Sequence, residues 1–360
     1  MRIPRPARVL VMVIAVAVGV PLGISTPGVP DEAANAAVGL SAGLSVSRIS
    51  GSDRYGTAAA IADAGWPAAL PKGSTLLLAT GENYPDAVSA AAAAGHLGVP
   101  LLLTASGNLS PSTAAEITRL KPATVVLVGS STALGDTIAS QVSALGAAVV
   151  RWQGADRYAT AAAVSQATYP NGATNVYLAT GRAFPDALAG AALAAVAGGP
   201  LLLTDSDTLP PATATEIARL HPSAIVALGS AGSVSDAVLD DAAKAGGGAQ
   251  KSRISGSDRY QTADAVASVL VQVHGGTTAS KGVLLATGLN FADALAGAAW
   301  AGASGRPLLL VPGTYVMPKT VQALQDFGAP SVAVLGGPGS VSDAVLDGLR
   351  AGNPPTAPPH

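Results

Sequence analysis

The 360-residue chain has no cysteine. Disulfides, thiolate metal sites, a cysteine nucleophile and a lipid-modified cysteine are all excluded. Charged residues are scarce at 12%, and the net charge is −2. The basic excess or stripe of a nucleic-acid binder is therefore missing, and an anion would have to be met by local arginines. Aromatic residues make up 4% of the chain, so its 49% apolar content comes mainly from Ala, Val and Leu. That is enough to build a core, and disorder is not the expected state. No phosphate loop of the G-x-x-x-x-G-K-[ST] type, no G-x-G-x-x-G after a first strand and no G-x-S-x-G elbow between a predicted strand and a helix occurs. A nucleotide-using enzyme is thus poorly supported, and no cofactor is expected.

Beyond residue 36 there is no apolar run of membrane-spanning length. Before it, Arg2, Arg5 and Arg8 precede an apolar stretch from Val9 to Val20, and Ala34-Asn35-Ala36 offers a small-residue cleavage site. This pattern predicts a secretory signal peptide over 1–36, with an uncleaved anchor as the alternative. Residues 37–47 read as an exposed leader. Residues 351–360, with four prolines, read as a flexible tail.

Internal repetition dominates the rest. Arg48-Ile-Ser-Gly-Ser-Asp53-Arg54-Tyr55 returns as Arg151-Trp-Gln-Gly-Ala-Asp156-Arg157-Tyr158 and as Arg253-Ile-Ser-Gly-Ser-Asp258-Arg259-Tyr260. The aspartates are 103 and 102 residues apart. Three further blocks follow each copy in constant order: LATGENYPDA, LATGRAFPDA and LATGLNFADA; then PLLLT, PLLLT and PLLLV; then VVLVGS, IVALGS and VAVLGG. Three repeats are expected, at 48–147, 148–249 and 250–350. Within each, short continuous apolar runs alternate with helical segments that Pro85, Pro111 and their counterparts open. The fold class is α/β, with mainly parallel sheets and helices on both faces. Equal units with very short connections predict a compact pseudo-threefold arrangement.

Several repeated residues could carry function. Asp53, Asp156 and Asp258 stand where a carboxylate caps a helix. Asp86, Asp186 and Asp293 fall in the first turn of the next helix, where they would face its positive dipole end. Both sets read first as structural helix-start acids. General acid–base chemistry or metal binding by them is the alternative, but nothing in the chain completes such a site. Arg48, Arg151 and Arg253 lie at strand ends, where open α/β sheets form their sites. Arg54, Arg157 and Arg259, each followed by Tyr55, Tyr158 or Tyr260, either pair with a neighbouring aspartate or fork onto a ligand's acid group. The four histidines do not recur between repeats, and Asp205-x-Asp207 has no counterpart, so no metal site is expected.

These blocks, in triplicate, resemble the cell wall binding repeat 2 family over roughly Arg48 to Arg350. The Ala- and Gly-rich composition is similar to that of a high-GC actinobacterium. The resemblance implies Toprim-like or flavodoxin-like modules packed in threes, and secretion to the cell surface. It implies non-covalent, non-catalytic anchoring to an anionic wall polysaccharide or teichoic-acid-like polymer, with no nucleic acid and no membrane partner after signal cleavage. Arg48, Arg54, Tyr55 and their counterparts would then be ligand contacts. It also links the leucines at 101–103, 201–203 and 308–310 to anchoring, although the residues themselves read as buried strands. A wall-modifying hydrolase using the repeated aspartates, or a self-assembling surface-layer component, are the alternatives. The third repeat departs from the pattern, with Ala292 where proline is expected and Asp326 in place of Arg119 and Arg219.

Overall fold

A computed structural model describes residue 40 and residues 44–273 and 281–356, all within one compact unit. The expected signal peptide lies outside the described residues. The described residues open with β1 (Ser45–Ile49) and α1 (Arg54–Gly65). The first module continues through β2 (Thr75–Thr80), α2 (Pro85–Leu97), β3 (Leu101–Thr104), α3 (Pro111–Leu120), β4 (Thr124–Val128), α4 (Asp136–Ala144) and β5 (Ala148–Trp152). After α5 (Arg157–Thr168) the second runs β6 (Asn175–Thr180), α6 (Pro185–Ala197), β7 (Leu201–Thr204), α7 (Pro211–Leu220), β8 (Ala224–Leu228), α8 (Asp236–Ala245) and β9 (Gln250–Ile254). After α9 (Arg259–Val273) the third has β10 (Val283–Thr287), α10 (Ala292–Ser304), β11 (Leu308–Val311), α11 (Pro318–Asp326), β12 (Ser331–Leu335) and α12 (Asp343–Arg350).

Each module holds one four-stranded sheet, and every pairing is parallel. The orders are β3-β2-β4-β5, β7-β6-β8-β9 and β11-β10-β12-β1. The sheets therefore cut across the sequence repeats. The strand that begins the second repeat, β5, completes the first sheet. The strand that begins the first repeat, β1, pairs with β12 and completes the third. Residues 45–47, expected as leader, are part of that strand. The start of the expected tail is also laid down: Val316 donates its N–H to the Pro355 carbonyl at 2.8 Å, and Pro354 is buried. Proline cannot donate, but its carbonyl still can accept, which lets a proline-rich segment dock this way.

The strands are apolar on both faces because both are covered. Leu77, Ala79, Leu101, Leu103, Val126 and Val128 face a core shared by all three modules. The alternate residues Leu76, Leu78, Leu102, Val125 and Leu127 face a core private to the first module. At the shared core α2, α6 and α10 all touch one another. Their alanine and glycine content permits this close approach. At one end Gly95, Ala195 and Gly302 meet; a Cβ on Gly302 would lie 2.5 Å from the Ala195 Cβ. At the other end Tyr84, Phe184 and Phe291 form a triangle of rings with centroids 5.6, 5.9 and 6.0 Å apart. The nearly equal sides mark a pseudo-threefold axis.

Candidate functional site: three junctions between modules

Each sheet order places its switch point between β2 and β4, or their equivalents, where the chain leaves in opposite directions and a crevice opens at the strand ends. In the first module a cleft of about 300 Å³ lies there. Thr80 and Asp86 line it from β2 and α2, Ser130 and Thr132 from the loop after β4, and Asp156 and Arg157 from the start of the next repeat. The site is thus a junction, built from two repeats.

One relay recurs at each junction. The Gly154 N–H donates to Thr160 Oγ1 at 3.1 Å, and the Thr160 hydroxyl donates to the Asp86 carboxylate. Gly256, Thr262 and Asp186 repeat this at the second junction, and Gly51, Thr57 and Asp293 at the third. Glycine is required at the first position, because a Cβ on Gly154 would lie 2.3 Å from the Ala159 backbone. Burial raises the carboxyls of Asp86, Asp186 and Asp293 above the usual range, while the hydroxyl donors and the neighbouring arginine pull back. Thr57, Thr160 and Thr262 were not singled out from sequence. Their signal was their constant place three residues after the arginine in all three copies.

Asp53, Asp156 and Asp258 sit at helix starts. Asp53 accepts from the Tyr55 and Gly56 N–H groups, Asp156 from Ala159, and Asp258 from Tyr260 and Gln261. The two arginine sets separate. Arg48, Arg151 and Arg253 each donate to a glycine carbonyl of the loop after β12, β4 or β8, at 2.7–2.9 Å. Each also reaches an exposed acid, Asp343, Asp136 or Asp236, at 2.9, 3.5 and 2.7 Å. The structure thus spends this set on tying the edge strand to its neighbouring loop, and Arg151 does not line the cleft.

Arg54, Arg157 and Arg259 donate instead to the carbonyls of Gly81, Gly181 and Gly288, at 2.7, 2.5 and 2.9 Å. No carboxylate stands within ion-pair distance of any of them among the described residues. Arg54 and Arg259 are exposed, and Arg157 is half-buried. Arg54 also lies over the Phe291 ring at 6.0 Å. Tyr55, Tyr158 and Tyr260 pack edge-on against the same three glycines, where any side chain would collide with their rings. They shape the loop that receives the arginine. The leucines of β3, β7 and β11 are buried, so they reach no ligand directly. Asp205 pairs with Arg182 at 2.7 Å, and no cluster of three potential metal ligands occurs among the described residues.

The profile of the family "Cell wall binding domain 2" matches residues 48–139, 151–239 and 253–346. The chain belongs to this family. Among curated proteins it is 31% identical over 307 residues to the N-acetylmuramoyl-L-alanine amidase LytC of Bacillus subtilis, covering 85% of this chain and 58% of that protein. It is 28% identical over 302 residues to the B. subtilis amidase enhancer, covering 84% and 40%. The chain thus spans about half the length of these relatives. Two Clostridium difficile structures share the fold. Cwp6 has a TM-score of 0.76 at 24% identity, over 86% of this chain and 48% of that one. Cwp8 has a TM-score of 0.72 at 20% identity, over 85% and 52%. Family membership associates the chain with the cell wall or surface, and no helix among the described residues is long and apolar enough to cross a membrane.

Proposed function

We propose that this protein is a non-catalytic wall anchor, secreted and held by several weak contacts to an anionic polysaccharide or teichoic-acid-like polymer. The observation that carries this reading is the contrast between the arginine sets. Arg48, Arg151 and Arg253 have acid partners, whereas Arg54, Arg157 and Arg259 keep donors for an external acid group. A guanidinium bound to a carbonyl on one side presents a fixed fork on the other. Three such forks on one rigid unit can engage successive acid groups of one chain, which raises overall affinity by about 10²–10⁴ over a single contact.

The matched amidase and amidase enhancer keep a hydrolytic or regulatory role in view. The junction acids favour binding instead: Asp156 is committed to capping α5, and Asp86 faces a threonine and an arginine. Co-sedimentation with isolated walls tests the proposal. The Arg54→Ala/Arg157→Ala/Arg259→Ala variant should lose retention at salt concentrations where the parent stays bound, with melting unchanged to within a few degrees. Equal retention on walls stripped of anionic polymer would refute it.

A further inference from the structure

The three junctions are not equivalent, and one position separates them. Ser233 donates to Asp186 at 3.0 Å, and Ser340 donates to Asp293 at 2.7 Å. The matching residue at the first junction is Ala133. The match is geometric as well: a Cβ on Gly129, Gly229 or Gly336 would lie 3.1, 3.0 or 2.9 Å from the Cβ of Ala133, Ser233 or Ser340. Asp186 and Asp293 each accept from a serine and a threonine, whereas Asp86 accepts from Thr160 without a serine partner. A carboxylate has about four lone-pair sites, so Asp86 keeps unused acceptor capacity in a largely buried place.

That capacity faces the cleft of about 300 Å³, at the lower end of small-ligand site volumes. Its lining is rich in hydroxyls, with Thr80, Ser130, Thr132 and Thr160, and the Asn83 amide, lining the cleft together with Asp86. Two acids, Asp86 and Asp156, line it against one base, Arg157. Such a lining favours a ligand that brings hydroxyl groups over one that brings only negative charge. Sugars fit this chemistry, since each ring hydroxyl can donate to a carboxylate and accept from a guanidinium or amide.

We propose that the junction between the first and second modules is a saccharide subsite, where Asp86 accepts a hydrogen bond from a sugar hydroxyl in the place that Ser233 and Ser340 fill at the other two. This rests on the wall-polymer reading and adds to it a division of labour. Exposed arginines meet the polymer's charge, and the first junction reads its sugar.

Ala133→Ser tests the idea with a residue this chain already uses at that place, so folding is safeguarded. The added hydroxyl should occupy Asp86 and raise the melting temperature slightly. Retention on native walls should fall about tenfold in affinity, the equivalent of one charge-assisted hydrogen bond. Periodate treatment, which destroys vicinal hydroxyls, should bring the parent down to the level of the variant. Carbodiimide amidation of the wall's acid groups should leave the gap between parent and variant in place. An Ala133→Ser protein that binds native walls like the parent, or a gap that survives periodate, would overturn the subsite and leave the anchor reading intact. If the parent itself is not retained by walls, both readings fail.

Discussion

Asp264 lies on α9 where the first two repeats have Ala59 and Ala162. It is 8% exposed. One carboxylate oxygen accepts from Thr320 at 3.0 Å, and the other has no partner. Burial pushes its carboxyl up to about 7, with repulsion from Asp258 adding to this and the Thr320 bond and Lys319 opposing it. The unfolded chain ionises near the ordinary value of 3.8. Below that pH both states are protonated and the acid costs nothing. As pH rises from about 4 to about 7 the unfolded state releases its proton first, so stability falls; above about 7 the loss is complete. A gap of about 3 pH units corresponds to a ceiling of about 4 kcal/mol. Asp264→Ala removes that penalty. It loses the Thr320 bond, but Thr113 and Thr213 donate to the Leu103 and Leu203 carbonyls at 2.6 and 2.7 Å, and Thr320 can turn to Leu310 in the same way. After about 1–2 kcal/mol for the lost bond and volume, a net gain of about 2 kcal/mol is expected at pH 8. The gain should vanish or reverse near pH 4. Urea denaturation of both proteins from pH 4 to 8 measures it. Parallel stability profiles across that range, or a variant less stable at pH 8, would refute the reasoning.

Two further outcomes follow from packing and from the arginine sets. Gly302→Leu places a side chain against Ala195 and the Gly95 backbone on the axis, and should cost at least about 1–3 kcal/mol in denaturant titration, because no side chain there can yield enough space. Arg253→Ala removes a carbonyl bond and an exposed ion pair, costing about 1–2 kcal/mol of stability; its wall retention should match the parent, whereas Arg259→Ala should weaken retention and cost less stability.

The repeats, the strand–helix alternation and the parallel sheets could all be read from the residues. Short apolar runs such as Leu76–Ala79, flanked by polar and turn residues, read as strands covered on both faces, and Pro85 or Pro111 marks where a helix begins. The junction could not be read in the same way. Asp86 and Thr160 are 74 residues apart, and periodicity says nothing about which module a helix start will face. The arginines were legible as residues but not as two kinds. The difference depends on Asp136, Asp236 and Asp343, which open α4, α8 and α12 and reach back to the edge strand. The aromatic triangle was likewise visible only as a Phe or Tyr in each LATG block.

The exchange of strands explains why the sites arise at junctions at all. A tandem array read from sequence assigns the Arg-x-x-Gly-x-Asp-Arg-Tyr block to the unit that it begins. In the fold the first half of that block, as β5, β9 or β1, finishes the preceding sheet, and the second half starts a helix that packs on the following one. The turn between them is therefore pinned by two modules at once. That is what brings Arg157 and Thr160 to Asp86, and Arg54 and Thr57 to Asp293. The last junction exists because β1 returns to β12 across most of the chain. Three repeats thus give three junctions where an open array of three would give two, and a single repeat would hold no complete cleft. The number of junctions belongs to the closed arrangement of modules and cannot be divided among them.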